Sequence, residues 1–170
     1  MPTNFYMYFV TALIPLAVGA FYYNDKVLGK AWMETNGFSS EDLEGANMAV
    51  IFGVSFLMSV LLSFTMAGVS IHQTGVAQVL FGAMGEGNQD VINDFNAFMG
   101  KYGDVHRTFG HGALHGAFYT IFAVLPVIAI NSLFERRGWK YILIHTGYWL
   151  ITLTIMAGVL CKTLEWAPIG

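Results

Sequence analysis

The amino-acid sequence predicts an all-α polytopic membrane protein of four transmembrane helices, with a short interfacial amphipathic helix between the second and the third. Three observations predict it. Hydrophobic residues make up 55% of the chain and charged residues 11%, where a soluble domain carries about 25% charged residues. Charge is absent from four stretches: between Met1 and Asp25, Glu44 and Glu86, Arg107 and Glu135, and Lys140 and Lys162. Each is long enough to supply the roughly 20 apolar residues that cross a bilayer. A soluble bundle would also need charge on the outward face of every helix, and these stretches have none.

The first span is predicted over residues 5–23. Phe5, Tyr6, Tyr8 and Phe9 crowd one end and Phe21, Tyr22 and Tyr23 the other, as amphipathic rings do at headgroup level. Pro15 sits mid-span, where neighbouring helices satisfy the freed carbonyl. No Lys or Arg precedes this segment and no small-residue cleavage site closes it, so it reads as a retained helix and not a removed leader. A polar loop over 24–45 follows, and within it Ser39-Ser40-Glu41-Asp42 resembles a helix start.

The second span is predicted over 46–69. Ser55, Ser59 and Ser63 recur every four residues on one face, a spacing that suits close helix packing in a membrane. The uncharged stretch then continues past one span's length, so residues 70–84, with His72, are expected to be an interfacial or re-entrant extension. Residues 86–107 form an amphipathic insertion. Val91, Ile92, Phe95, Phe98, Met99 and Tyr102 keep helical spacing, while Asn88, Asp90, Asn93, Asp94 and Lys101 fill the opposite face. Such a helix lies on the membrane or caps the bundle. The third span is predicted over 108–134 and the fourth over 139–161, joined by the turn Glu135-Arg136-Arg137-Gly138.

Orientation follows from positive charge. Lys26, Lys30, Arg136, Arg137 and Lys140 lie on one side of a four-span chain, and Lys101, Arg107 and Lys162 on the other. The excess of positive charge places the first set in the cytoplasm and both termini outside it. Met66-Ala67-Gly68-Val69 and Met156-Ala157-Gly158-Val159 close spans two and four, and Pro15 and Pro126 occupy comparable places in spans one and three. Two hairpins of the same orientation would give this pattern, and so would coincidence in apolar sequence.

Several strings carry a family resemblance: Tyr22-Tyr23 with Gly29-Lys30-Ala31-Trp32-Met33, then Asn131-Ser132-Leu133-Phe134-Glu135, Gly147-Tyr148-Trp149 and Met156-Ala157-Gly158. Together they resemble the bacterial membrane family catalogued as domain of unknown function 1761, over nearly the whole chain and in the right order. The resemblance implies a small multi-span protein of the bacterial inner (cytoplasmic) membrane. It supplies no reaction and no site residues.

The histidines are the candidates for chemistry. His111 and His115 stand four apart on one face of span three, a spacing that lets two imidazoles reach one ion. His106 lies just before them, and His72 follows span two on the same side. Four histidines therefore form a candidate site for a divalent metal such as zinc, with Asp104 as a possible oxygen ligand or outer partner. The competing reading is structural: Gly112 and Gly116 make a close helix contact and the histidines hydrogen-bond at that interface. His145, near the other end of span four, is too deep to share the same ion and is expected to bond Ser55 or Tyr148. Asn47 and Asn131 are expected to lock helices together from buried positions.

Other chemistries are excluded or unsupported. Cys161 is the single cysteine, so there is no internal disulfide and no cysteine zinc cluster. A net charge of −3 provides no basic patch for nucleic acid. The methionines form no metal-binding run, and no phosphate loop, HExxH string or Ser-His-Asp order occurs. Three function classes are left. The sequence first favours a non-enzymatic helical module in the lipid bilayer, self-associating as a homo-oligomer or serving as an accessory subunit of a larger membrane complex. The second class is a small transporter or channel, which the proline-containing helices favour and the lack of charged residues within spans disfavours. The third is a metal-binding membrane protein built on His72, His106, His111 and His115.

Overall fold

The computed structural model describes residues 2–168 and is all-helical among them. Its helices are α1 (Met7–Thr11), α2 (Ile14–Tyr22), α3 (Gly29–Asn36), α4 (Met48–Ser70), α5 (Gln73–Gly85), α6 (Gln89–Tyr102), α7 (Phe109–Tyr119), α8 (Leu125–Phe134) and α9 (Trp139–Thr163). Helices α7 and α8 are continuous through a π-helical turn at Thr120–Val124. Met48–Ser70, Phe109–Phe134 and Trp139–Thr163 are each long and apolar enough to cross a membrane. The first apolar segment, Met7–Tyr22, is shorter. It is broken where Leu13 N–H bonds back to Val10 O in a tighter turn, one residue before α2 begins with Pro15 in its first turn.

Helix α9 is the axis of the bundle, and α7, α4 and α2 pack around it. Its contact with α7 is the closest because two glycines allow it. A Cβ on Gly112 would lie 2.4 Å from Ala157 O, and one on Gly116 would lie 2.2 Å from Leu153 O. The backbones therefore touch directly, as small residues permit between membrane helices. Around this contact Met66, Ile71, Leu153, Met156 and Leu160 are fully buried. The serine face expected of the second span is used here too. Ser59 and Ser63 are buried against the bundle and donate to Ser55 O and Val60 O of their own helix.

The π turn precedes Pro126, which has no N–H to continue the α ladder. Thr120 is fully buried in that turn, and its hydroxyl donates to Gly116 O at 2.9 Å. The two chain ends meet at one end of the bundle, where Thr3 N–H donates to Glu165 O at 2.9 Å and Asn4 Nδ2 donates to Thr163 O at 2.7 Å. At the other end, α3 packs on the start of α9. Lys140 pairs with Glu34, and Arg137 Nη1 donates to Thr35 O at 3.2 Å.

Several local expectations change. The 24–45 loop contains a helix, α3, ended by Gly37 in the left-handed conformation at φ 73°. Ser39-Ser40-Glu41-Asp42 starts only a single 3-10 turn, Glu41–Leu43. The cap of α4 is Asn47, whose side chain accepts from Val50 N–H at 3.1 Å while exposed. Asn131 is exposed as well. Neither asparagine locks helices from a buried site, because each is exposed on the outside of the bundle. The extension after span two is a regular helix, α5. Residues 89–102 form the expected amphipathic helix, α6, with Asn88 as its cap and with Ile92 and Phe95 buried against α5.

Candidate metal centre

Three separate pieces of chain bring the histidines together. His72 sits in the sharp turn between α4 and α5. The turn is held by Thr74, whose hydroxyl donates to Ile71 O at 2.6 Å and Gly68 O at 3.1 Å. Cys161 adds a contact from its Sγ to Ser70 O at 3.4 Å. His111 and His115 come from the first two turns of α7. Thr108 caps that helix by accepting from His111 N–H at 3.2 Å. Gly112 and Gly116 point at α9. The histidines one residue earlier are rotated about 100° around the helix and meet His72 at the edge of the bundle.

The three rings face one another through the same atom. His111 Nε2 is 2.9 Å from His72 Nε2 and 3.1 Å from His115 Nε2. All three ligating atoms lie within 4.8 Å of one another. His111 and His115 are half-buried, and His72 is exposed. Hydrogen bonding alone does not satisfy this arrangement. A neutral imidazole Nε2 carries either one proton or one lone pair, so His111 Nε2 makes at most one good bond as a donor. As an acceptor it must share one lone pair between two rings. A cation accepts all three lone pairs at once, with the ring protons on Nδ1. The two separations from His111 also suit one. With metal–nitrogen bonds of about 2.0–2.1 Å, two nitrogens on one ion lie about 2.9 Å apart at a right angle and about 3.3–3.4 Å apart at the tetrahedral angle.

His106 stands beside this trio and not within it. Its ring stacks on His111 with centroids 4.8 Å apart and planes 20° apart. Its backbone is left-handed, at φ 62°, which is uncommon for a residue with a Cβ. The carbonyl accepts from Thr108 N–H at 2.9 Å and Cys161 Sγ at 3.4 Å. The next residue, Arg107, ties the same turn to the end of α9: its Nε donates to Cys161 O at 2.6 Å and its Nη2 to Leu164 O. Asp104 is likewise outside the group of ligating atoms. Of the four expected histidines, the trio contains His72, His111 and His115.

His145 lies in the second turn of α9. The Ala157 carbonyl that meets Gly112 is twelve residues further on, about 18 Å along the helix. Its ring packs on Tyr141 at 4.2 Å and lies 6.4 Å from Tyr23. The expected bond to Ser55 or Tyr148 is absent: Nε2 is buried without a hydrogen-bond partner, and Tyr148 Oη donates instead to Pro15 O at 3.0 Å. Two residues of the site neighbourhood had no motif to announce them, Gln73 and Arg107. Each acts on backbone carbonyls far away in sequence, and no local spacing encodes that.

The family model described as "Protein of unknown function (DUF1761)" covers residues 6–161, a range that contains all the short strings above. No curated protein and no solved structure matches the chain.

Proposed function

We propose, for a chain that thus belongs to the DUF1761 family of unknown function, that it is a small helical membrane module that binds one divalent transition-metal ion through His72, His111 and His115. The carrying observation is the approach of His111 Nε2 to His72 Nε2 at 2.9 Å and to His115 Nε2 at 3.1 Å, with the ligating atoms of all three within 4.8 Å of one another. Imidazole nitrogen suits zinc, copper, iron and nickel, and availability decides among them. The lipid bilayer is the partner this reading requires. Phe52, Leu57, Leu61, Phe122 and Phe134 are all exposed on the outside of the bundle, where hydrocarbon would cover them. Elemental analysis of the purified full chain, loaded with zinc and freed of excess by gel filtration, is expected to return about one ion per chain. A metal content at the level of buffer alone sinks the reading.

The proposal extends to topology. The first apolar segment crosses the membrane as a fourth span, α6 lies at the interface, and the histidine end of the bundle faces away from the cytoplasm. Support comes from the five basic residues at the α3 and α8–α9 end against three at the other, and from the two chain ends meeting on the histidine side. A Cys161→Ser, Arg137→Cys chain in intact cells should resist a membrane-impermeant thiol reagent until the cells are opened. Labelling from outside reverses the orientation.

A further inference from the structure

A cleft of about 510 Å³ lies between α2, α4 and the middle of α9, among the apolar helices. It runs along α4 from Ile51 to Leu62, about 16 Å of helix. The gap exists because α4 meets the bundle only through its second half. Its buried residues are Ser59, Ser63, Met66, Ala67 and Ser70, and residues 48–54 are all exposed. Ile51, Phe52, Val54 and Met58 form an exposed rim, so the cleft opens sideways toward lipid. No Asp, Glu, Lys or Arg lines it.

Two hydroxyls on its walls differ from their neighbours. Tyr22 Oη donates to Ile144 O at 3.0 Å, and Tyr148 Oη donates to Pro15 O at 3.0 Å. Tyr23, whose ring packs against both of theirs, has no hydrogen bond from its hydroxyl among the described residues. On α4, Ser59 and Ser63 donate to Ser55 O and Val60 O, while the Ser55 hydroxyl likewise has no partner there. Both residues line the cleft, Tyr23 from the end of α2 and Ser55 from α4. Both are half-buried, and neither oxygen is among the fully enclosed unpaired atoms, so each keeps accessible surface. A hydroxyl facing hydrocarbon without a partner is unfavourable, and two of them on facing walls point to a ligand that accepts.

We propose that this cleft binds a lipid-soluble molecule whose flat ring carries carbonyl oxygens, the chemistry of a membrane quinone. The Tyr23 and Ser55 hydroxyls donate to the carbonyls, the ring lies against the aromatic wall of Tyr148 and Trp149, and an apolar tail follows α4 toward Leu62. A phospholipid acyl chain would fill the same space and accept neither hydrogen bond. A charged headgroup would find no compensating charge. A cavity of about 150 Å³ holds benzene, so this one has room for a ring and part of a tail. The inference requires the helices to lie in lipid and is independent of the metal reading.

The test uses the full chain in detergent micelles, with empty micelles as the blank. The probe is 2,3-dimethyl-1,4-naphthoquinone, whose methylated positions resist addition of thiols, followed by equilibrium dialysis. It should bind saturably, at about one per chain. 2,3-Dimethylnaphthalene has the same ring without the carbonyls and should bind about tenfold more weakly. Tyr23→Phe and Ser55→Ala should each weaken the quinone by about threefold or more and leave the naphthalene unchanged. Ala20→Trp adds bulk at an exposed position of the cleft wall and should weaken both probes. Tyr6→Phe, whose ring is 62% exposed and outside the cleft, should bind as the original chain does. Circular dichroism shows whether each variant is folded.

Equal binding of quinone and naphthalene overturns the carbonyl assignment and leaves the cleft to acyl chains. Quinone binding unchanged in both Tyr23→Phe and Ser55→Ala, or undiminished in folded Ala20→Trp, overturns the site. A chain that binds neither probe overturns the proposal, and a dimer that Ala20→Trp splits would then assign the cleft to a second copy. None of these results bears on the histidine trio, which zinc content tests separately.

Discussion

Replacing His111 by leucine is expected to abolish transition-metal binding while the helices stay folded. His111 is the central member of the trio, with Nε2 at 2.9 Å from His72 Nε2 and 3.1 Å from His115 Nε2. Removing it takes away one ligand and separates the other two. Loss of an outer-shell partner typically costs 10–100-fold in metal affinity, so loss of this ligand should cost on the order of a hundredfold or more. His106→Ala is the informative companion. That ring stacks on His111 and meets His72 edge-on at 6.0 Å without joining the ligating group, and its loss should leave metal stoichiometry unchanged. Titration with zinc, followed calorimetrically, separates the cases. If His111→Leu binds zinc as tightly as the original chain, the three histidines are not ligands. If both variants keep metal affinity and lose only thermal stability, the cluster is a packing device.

Replacing Gly116 by valine should have the largest effect on stability. A Cβ at that position would sit 2.2 Å from Leu153 O, 2.6 Å from Leu153 C and 2.9 Å from Thr154 Cα. These are backbone atoms of α9, so no rotamer change relieves the clash and α7 must move away. Overpacking a close contact costs about 1–3 kcal/mol and occasionally more, and the rigid backbone puts this case at about 3 kcal/mol or above. The displacement also carries His111 and His115 away from His72, which is anchored on α4 and α5. Metal affinity should therefore fall with stability, although no ligand has changed. Gly110→Ala on the same helix is the contrast. Nothing lies within 4 Å of its Cβ position, so the change should be neutral or stabilising by up to about 1 kcal/mol. Thermal unfolding in detergent reads both. Equal melting temperatures for Gly116→Val and the original chain would show that α7 and α9 do not touch as described.

What could be read from the sequence was what short-range chemistry determines. The charge-free stretches mark apolar helices because an unpaired charge is costly in hydrocarbon, and Met48–Ser70, Phe109–Phe134 and Trp139–Thr163 lie where those stretches predict. Helical periodicity marked α6, whose buried Ile92 and Phe95 belong to the expected apolar face. The same periodicity placed His111 and His115 on one side of α7.

Tertiary structure decided what those faces meet. His72 is 39 residues from His111, and their meeting depends on the turn after Ser70 and on how closely α7 approaches α9. Those features are set by Thr74, Cys161, Gly112 and Gly116. His106 looked equivalent to its neighbours in sequence, yet its left-handed backbone and the Cys161 contact to its carbonyl hold it beside the trio. Asn47 and Asn131 are exposed where the sequence predicts burial for a related reason: a polar residue in an apolar run has the same local pattern whether it faces a helix or faces outward. Helix periodicity repeats every 3.6 residues and can be read within one segment. The direction in which one helix leaves another depends on caps, turns and backbone contacts between distant segments, and no repeat in the chain records it.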